Sequence, residues 1–410
     1  MNQSRGVVIV GASVAGMHAA EGLREFGYGM RIDLIEVETR LPYDRPPLSK
    51  SVLLGKATHE DIRLHGDGAL AALGVELHRG VPATELRERT ACLADGREFP
   101  GSEVILATGL SSRALPGQPR AASVRTLRTL DDALALRERM RASSSIVIIG
   151  GGLIGGEVAS SGRELGLRVT VVEALPVPMA RVLGVRAGRL FAGLWRGRDV
   201  ELRAGTQVRG IDADDDAARV TLGDGAVIAA DTVVVAIGSV LNTGWLGSVA
   251  GPAGLVCDST GQVLGHDSVF AAGDIASWPD HATGRHYRRE HWTRARTQAA
   301  AIAARICGQE PAPPAPDYAW TNQFGMMIQI LGRPELADTT VVLETGPETG
   351  PETGTGAPRG TVLGYFARDR IVGALMFAAP RRKGFYHRLI AASGSISEFA
   401  GAAGSAEPFE

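Results

Sequence analysis

An α/β protein with two Rossmann-like dinucleotide-binding domains and a C-terminal α+β interface domain is the fold class predicted for these 410 residues. Two observations carry that expectation. A strand, a glycine turn, a helix and a second strand ending in an acid follow one another twice, from Val7 and again from Ile146. Much later, Pro311, Pro313, Pro314 and Pro316 cannot continue the Ala-rich helix before them, so a further domain begins near Asp317.

The composition narrows the class. Hydrophobic residues make up 44% and charged residues 21% of the chain, which is ordinary globular usage and excludes wholesale disorder and a disulfide scaffold. Forty-three Lys plus Arg against 45 Asp plus Glu leave a net charge of -2, too balanced for a phosphate-driven nucleic-acid binder. No apolar run approaches the ~20 residues of a membrane span. Arg5 leads directly into a short strand, unlike a signal peptide, and the expected location is the cytoplasm. Cys92, Cys257 and Cys307 are isolated, with neither a C-x-x-C pair nor zinc-ligand spacing, and are expected to be small core residues.

The first strand, Val7 to Val10, enters Gly11-x-Ser13-x-x-Gly16 and a helix from Val14 to about Phe26. The next strand ends at Glu36, 25 residues after Gly11. Gly11 permits the tight turn, Gly16 allows close helix packing, and the helix N-terminus faces a pyrophosphate. Ser13 stands where a middle glycine is usual, and is small enough to let the backbone approach phosphate. An acid at the end of the second strand accepts hydrogen bonds from a ribose, and Glu36 and Glu38 are both candidates. The second copy is complete: Ile146 to Ile149, Gly150-x-Gly152-x-x-Gly155, a helix to about Leu165, and a strand ending in Glu173. Two such sites imply two dinucleotides, and the economical pair is FAD with a nicotinamide cofactor, hence hydride transfer. Glu173 suits a free 2'-hydroxyl and repels a 2'-phosphate, so NADH is expected over NADPH. No His or Cys occupies the first motif, so the FAD should be non-covalent.

Beyond these turns the chain resembles the FAD- and NADH-dependent ferredoxin reductases of the putidaredoxin reductase and rhodocoxin reductase type, which include the reductase components of aromatic-ring dioxygenases. The resemblance rests on Pro42-Tyr-Asp-Arg-Pro-Pro-Leu-Ser-Lys50, Ala107-Thr-Gly109, Leu127-Arg-Thr-Leu-Asp-Asp132, Arg181-Val-Leu-Gly184, Val269-Phe-Ala-Ala-Gly-Asp274, Glu290-His-Trp292 and Trp320-Thr-Asn-Gln323. It implies that Lys50 lies near flavin N5, paired with Glu157 in the first turn of the NADH-site helix. It implies FAD contacts for Arg45, Pro47, Thr108, Gly109, Arg128 and Asp274, and places Trp292 and Trp320 around the flavin. It implies an acidic ferredoxin of the 2Fe-2S type as partner, serving a haem monooxygenase or ring-hydroxylating dioxygenase. Like that family, this chain has no cysteine pair after the second strand. Arg285, Arg288, Arg289, Arg294 and Arg296 form a cationic run suited to steering an acidic partner. Leu241 and Asn322 depart from the proline and aspartate common at those positions.

The expected organisation is an FAD-binding domain over 1–110 and 239–316, an NADH-binding domain over 111–238, and the α+β domain over 317–410. In the last, Ala319 to Leu331, Val341 to Glu344, Val362 to Ala367 and Ile371 to Phe377 read as strands and Gly384 to Ala392 as a helix. The Thr-Gly-Pro-Glu repeat of Glu344 to Gly356 reads as a mobile loop and the Gly/Ala/Ser-rich C-terminus as frayed. The competing functions are direct reduction of a small molecule or dioxygen, and a redox-sensing interaction protein like apoptosis-inducing factor.

Overall fold

Four β-branched residues in succession leave no polar face on Val7–Val10, and this strand lies at the centre of a five-stranded parallel sheet, buried on both sides. The computed structural model describes residues 6–66, 68–280, 284–313, 315–346 and 359–395, and the backbone of 407–408. The Thr-Gly-Pro-Glu repeat beyond Gly346 and almost all of the C-terminal tail lie outside the described residues.

The chain divides into two compact units. The first comprises Met1–Asp44, His59–Ser111 and Ser239–Pro314. Its parallel sheet runs in the order Val269–Ala271, Glu103–Leu106, Val7–Val10, Ile32–Glu36, Val75–Arg79. Helix Val14–Glu25 packs against helix Trp292–Ile306, where a Cβ on Gly22 would lie 3.0 Å from the Ala303 methyl. That glycine lets the two backbones approach.

The second unit comprises Arg45–Thr58, Ser112–Gly238 and Ala315–Glu410. Its parallel sheet has the order Val200–Ala204, Arg168–Glu173, Ser145–Ile149, Thr232–Val235, Val124–Arg125. Segment Arg45–Thr58 belongs here through fully buried Leu53, which joins the core of Leu136, Met140 and Ile146, and through Ser161 Oγ, which donates to the Ser49 carbonyl at 2.7 Å. The motif from Leu127 to Asp132 is a capping box: the Asp132 amide donates to Thr129 Oγ1 at 3.1 Å and the Thr129 amide to Asp132 Oδ2 at 2.9 Å, starting helix Leu130–Arg141. Thr129→Ala is therefore expected to lower stability by about 1 kcal/mol, read as a lower denaturation midpoint with an unchanged denaturant slope.

The same unit holds a six-stranded sheet in the order Tyr318–Gln323, Met326–Gly332, Arg370–Phe377, Val362–Ala367, Thr339–Glu344, Glu407–Pro408. The segment expected as one strand from Ala319 to Leu331 is a hairpin, because Phe324 and Gly325 turn with φ of 51° and 70°. Helix Ala180–Arg196 is interrupted at Gly184 (φ 76°), and the Leu183 carbonyl beside it accepts the buried Tyr365 hydroxyl at 2.9 Å. The glycine of the Arg181-to-Gly184 motif thus has a backbone reason. Among the described residues no helix is long and apolar enough to cross a membrane.

Candidate functional site

The two glycine turns, one in each unit, have the same geometry. Gly11 and Gly150 take φ of 106° and 108°, a region that favours glycine. A Cβ on Gly16 would overlap the Gly11 carbonyl, and one on Gly155 the Gly150 carbonyl. Each acid braces its own turn. In the first, the Ala12 amide donates to Glu36 Oε2 at 2.7 Å and the Glu38 amide to Glu36 Oε1 at 3.0 Å. In the second, the Gly151 amide donates to Glu173 Oε2 at 2.6 Å and the Leu175 amide to Glu173 Oε1 at 2.8 Å. Glu36 is thereby the structural counterpart of Glu173, while Glu38 accepts the Tyr43 hydroxyl at 2.5 Å. Ser13 sits at φ -82°, ψ -164° and Gly152 at φ -82°, ψ -172°, so serine is accommodated without strain.

These cradles fit dinucleotides. Helices Val14–Glu25 and Leu153–Glu164 begin with no side-chain cap and no acid in the first turn, which leaves their leading amides for a diphosphate. Nothing lies within 4 Å of a Cβ placed on Gly152, so the cradle is open. In the first unit the Gly273 amide donates to Gln298 Oε1 at 2.9 Å, while the buried Gln298 Nε2 has no partner among the described residues. A buried donor in that state matches a ligand rich in hydroxyl and carbonyl acceptors, as FAD is.

Also in the first unit, Thr108 and Gly109 are clasped by Asn242. The Thr108 hydroxyl donates to the Asn242 carbonyl at 2.7 Å, Asn242 Nδ2 to the Thr108 carbonyl at 3.0 Å, and the Asn242 amide to the Gly109 carbonyl at 3.0 Å. Asp274 is the middle residue of a single helical turn, Gly273–Ile275, that follows strand Val269–Ala271 after one residue. Trp292 Nε1 donates to Asp44 Oδ1 at 2.7 Å, and the Trp292 ring meets His18 edge-on.

In the second unit Lys50 and Glu157 meet. Lys50 Nζ stands 2.7 Å from Glu157 Oε2, with side chains 19% and 5% exposed. The lysine also donates to the Pro46 carbonyl at 2.8 Å. It lies in a π-helix, Leu48–Val52, that follows the prolines of its motif, and Glu157 is the fifth residue of helix Leu153–Glu164, in its second turn rather than the expected first. The glutamate accepts two further donors that sequence reasoning did not assign: Ser49 Oγ on Oε2 at 2.5 Å and Thr321 Oγ1 on Oε1 at 2.7 Å. Arg45 Nη1 donates to the Arg128 carbonyl at 2.8 Å, which brings these two expected contacts together, with Pro47 two residues on. The Trp320 ring stacks on Tyr318 at 5.7 Å.

The arginine run is partly engaged within its own unit. Arg288 Nη1 binds Glu290 Oε1 at 2.8 Å, Arg294 lies 4.4 Å from the centre of the Tyr287 ring, and Arg296 lies 4.9 Å from that of Trp292. All three cysteines are free. Burial pushes the Cys257 thiol up to about 12 and also raises that of Cys307, which disfavours the thiolate at both.

The chain is 37% identical to the ferredoxin reductase component of chlorobenzene dioxygenase from Cupriavidus sp. (strain PS12), over 95% of this chain and 93% of that protein. It is 34% identical to putidaredoxin reductase CamA of Pseudomonas putida, over 83% of each. The crystal structure of the covalent putidaredoxin reductase–putidaredoxin complex superposes with a TM-score of 0.88 at 31% identity, covering 96% of this chain and 94% of that one. A family model described as pyridine nucleotide-disulphide oxidoreductase matches residues 5–299. The disulfide in that description has no counterpart among three free cysteines. In its paired glycine turns and its dependence on FAD and NADH, the chain belongs to the pyridine nucleotide-disulphide oxidoreductase family.

Proposed function

We propose that this protein carries electrons from NADH through non-covalent FAD to a small acidic ferredoxin of the 2Fe-2S type, which serves a haem monooxygenase or ring-hydroxylating dioxygenase. The observation that carries the reading is the pair of half-buried Lys50 with buried Glu157, joined to a second dinucleotide cradle in a chain that has no redox disulfide. FAD, when bound, accepts two electrons together from a nicotinamide and releases them singly. The protein's part is to hold and orient.

In this reading Gly11, Ser13, Gly16 and Glu36 hold the adenosine and diphosphate of FAD, with Thr108, Gly109, Asp274 and Trp292 toward the rest of the cofactor. Arg45, Pro47, Arg128 and Trp320 complete the FAD contacts. Gly150, Gly152, Gly155 and Glu173 hold NADH. Lys50 supplies a cation near flavin N5 and Glu157 orients it. Residues 1–110 and 239–316 form the FAD domain, 111–238 the NADH domain and 317–410 the interface domain, and the reaction takes place in the cytoplasm. The relatives named above support the partner class, and Arg285 and Arg296, both exposed, supply steering charge.

Anaerobic stopped-flow mixing tests this. NADH should bleach the flavin rapidly, and an added 2Fe-2S ferredoxin should reoxidise it rapidly, more slowly as salt is raised. If ferredoxin leaves the flavin reduced while dioxygen, admitted in a separate mixing, reoxidises it fast, the proposal is overturned.

A further inference from the structure

Within the second unit, Glu157 ends a directional relay. Trp195 Nε1 donates to Gln323 Oε1 at 2.8 Å, Gln323 Nε2 to Thr321 Oγ1 at 3.2 Å, and Thr321 Oγ1 to Glu157 Oε1 at 2.7 Å. An indole N–H can only donate and a carboxylate only accepts, so the chemistry at the two ends sets the sense of every bond between them. Trp195, Gln323 and Thr321 have no measurable exposure, and Glu157 is 4% exposed. Strand alternation puts Thr321 and Gln323 on the buried face of Tyr318–Gln323, with the departing residue Asn322 on the other. Gly156, beside Glu157, is required by the same arrangement, since a Cβ there would lie 2.6 Å from the Gln323 amide.

We propose that Thr321 is a positioning residue for the Lys50–Glu157 pair, with Gln323 and Trp195 fixing its hydroxyl in the donating sense. Ser49 and Lys50 both bind Oε2, so Thr321 alone among the described residues engages Oε1 and sets the rotation of the carboxylate about its last bond. Asn322 leaves this relay untouched. The inference rests on the reading that Lys50 and Glu157 assist flavin reduction.

The FAD-loaded full chain provides the test. Thr321→Val, which keeps the side-chain shape and removes the hydroxyl, should slow flavin reduction by NADH about tenfold. Thr321→Ser should restore it. In a Glu157→Gln background, Thr321→Val should have no further effect, because its action runs through the carboxylate. A second readout is independent of turnover. The chain has only three lysines, Lys50, Lys56 and Lys383, so selective 15N-lysine labelling yields three side-chain ammonium signals. That of Lys50 should shift in Thr321→Val and return in Thr321→Ser, while the other two stay in place. If Thr321→Val folds poorly, Gln323→Met takes its place, with a smaller slowing that also disappears in Glu157→Gln. A slow Glu157→Gln beside an unaffected Thr321→Val overturns this inference alone, as does equal slowing by Thr321→Val in both backgrounds. A Glu157→Gln variant that reduces at the native rate overturns the underlying reading and this inference with it.

Discussion

Lys50→Met is expected to slow flavin reduction by NADH by about a hundredfold, the scale for removing one preorganised charge from a reacting centre. FAD should remain bound, because the glycine turn braced by Glu36 belongs to the other unit and is built from that unit's own residues. The buried carboxylate of Glu157 would lose its cation yet keep Ser49 and Thr321. Flavin content by absorbance and the single-turnover rate should therefore separate, the first unchanged and the second depressed. Lys50→Arg should rescue poorly. A planar guanidinium cannot place one compact charge where Lys50 Nζ meets both the Pro46 carbonyl and Glu157. A native rate in Lys50→Met would remove the lysine from the chemistry.

Replacing Glu173 with alanine and Ala174 with arginine is expected to reverse the preference for NADH, shifting the ratio of kcat/KM values toward NADPH by about a hundredfold. A carboxylate against a 2'-phosphate is a like-charge juxtaposition costing several kcal/mol, and about 1.4 kcal/mol corresponds to each factor of ten. The structure adds a second effect. Glu173 also accepts the amides of Gly151 and Leu175, so its loss frees the turn and should weaken NADH binding as well. Glu173→Ala alone should thus lower NADH affinity without a comparable gain for NADPH. Steady-state kinetics with both nucleotides would distinguish these contributions, and equal use of both by the native protein would contradict the role of Glu173.

The features legible in the sequence are those whose cause is local. Gly11 and Gly150 announce themselves because only glycine adopts their φ comfortably, and Glu36 and Glu173 because each closes a strand that pairs directly beside its turn. The choice between Glu36 and Glu38 was not legible, since it depends on which carboxylate reaches the Ala12 amide. Thr321 and Ser49 were hidden for a different reason. They meet Glu157 across separations of 164 and 108 residues, and alternation in a strand reveals which side is buried without revealing what covers it. The hairpin at Phe324 was missed because Phe324 is itself an apolar strand former and Gly325 alone marks the turn.

The shared backbone of Ser13 and Gly152 changes how such fingerprints should be written. The middle position is extended, a conformation open to every amino acid, so what it demands is clearance for a phosphate rather than a special dihedral angle. Genome scans that require three glycines pass over this chain at its first turn and keep only the second. A pattern that insists on glycine at the outer positions and admits any small side chain between them retrieves both, and would find other proteins whose dinucleotide sites are hidden by one hydroxymethyl group.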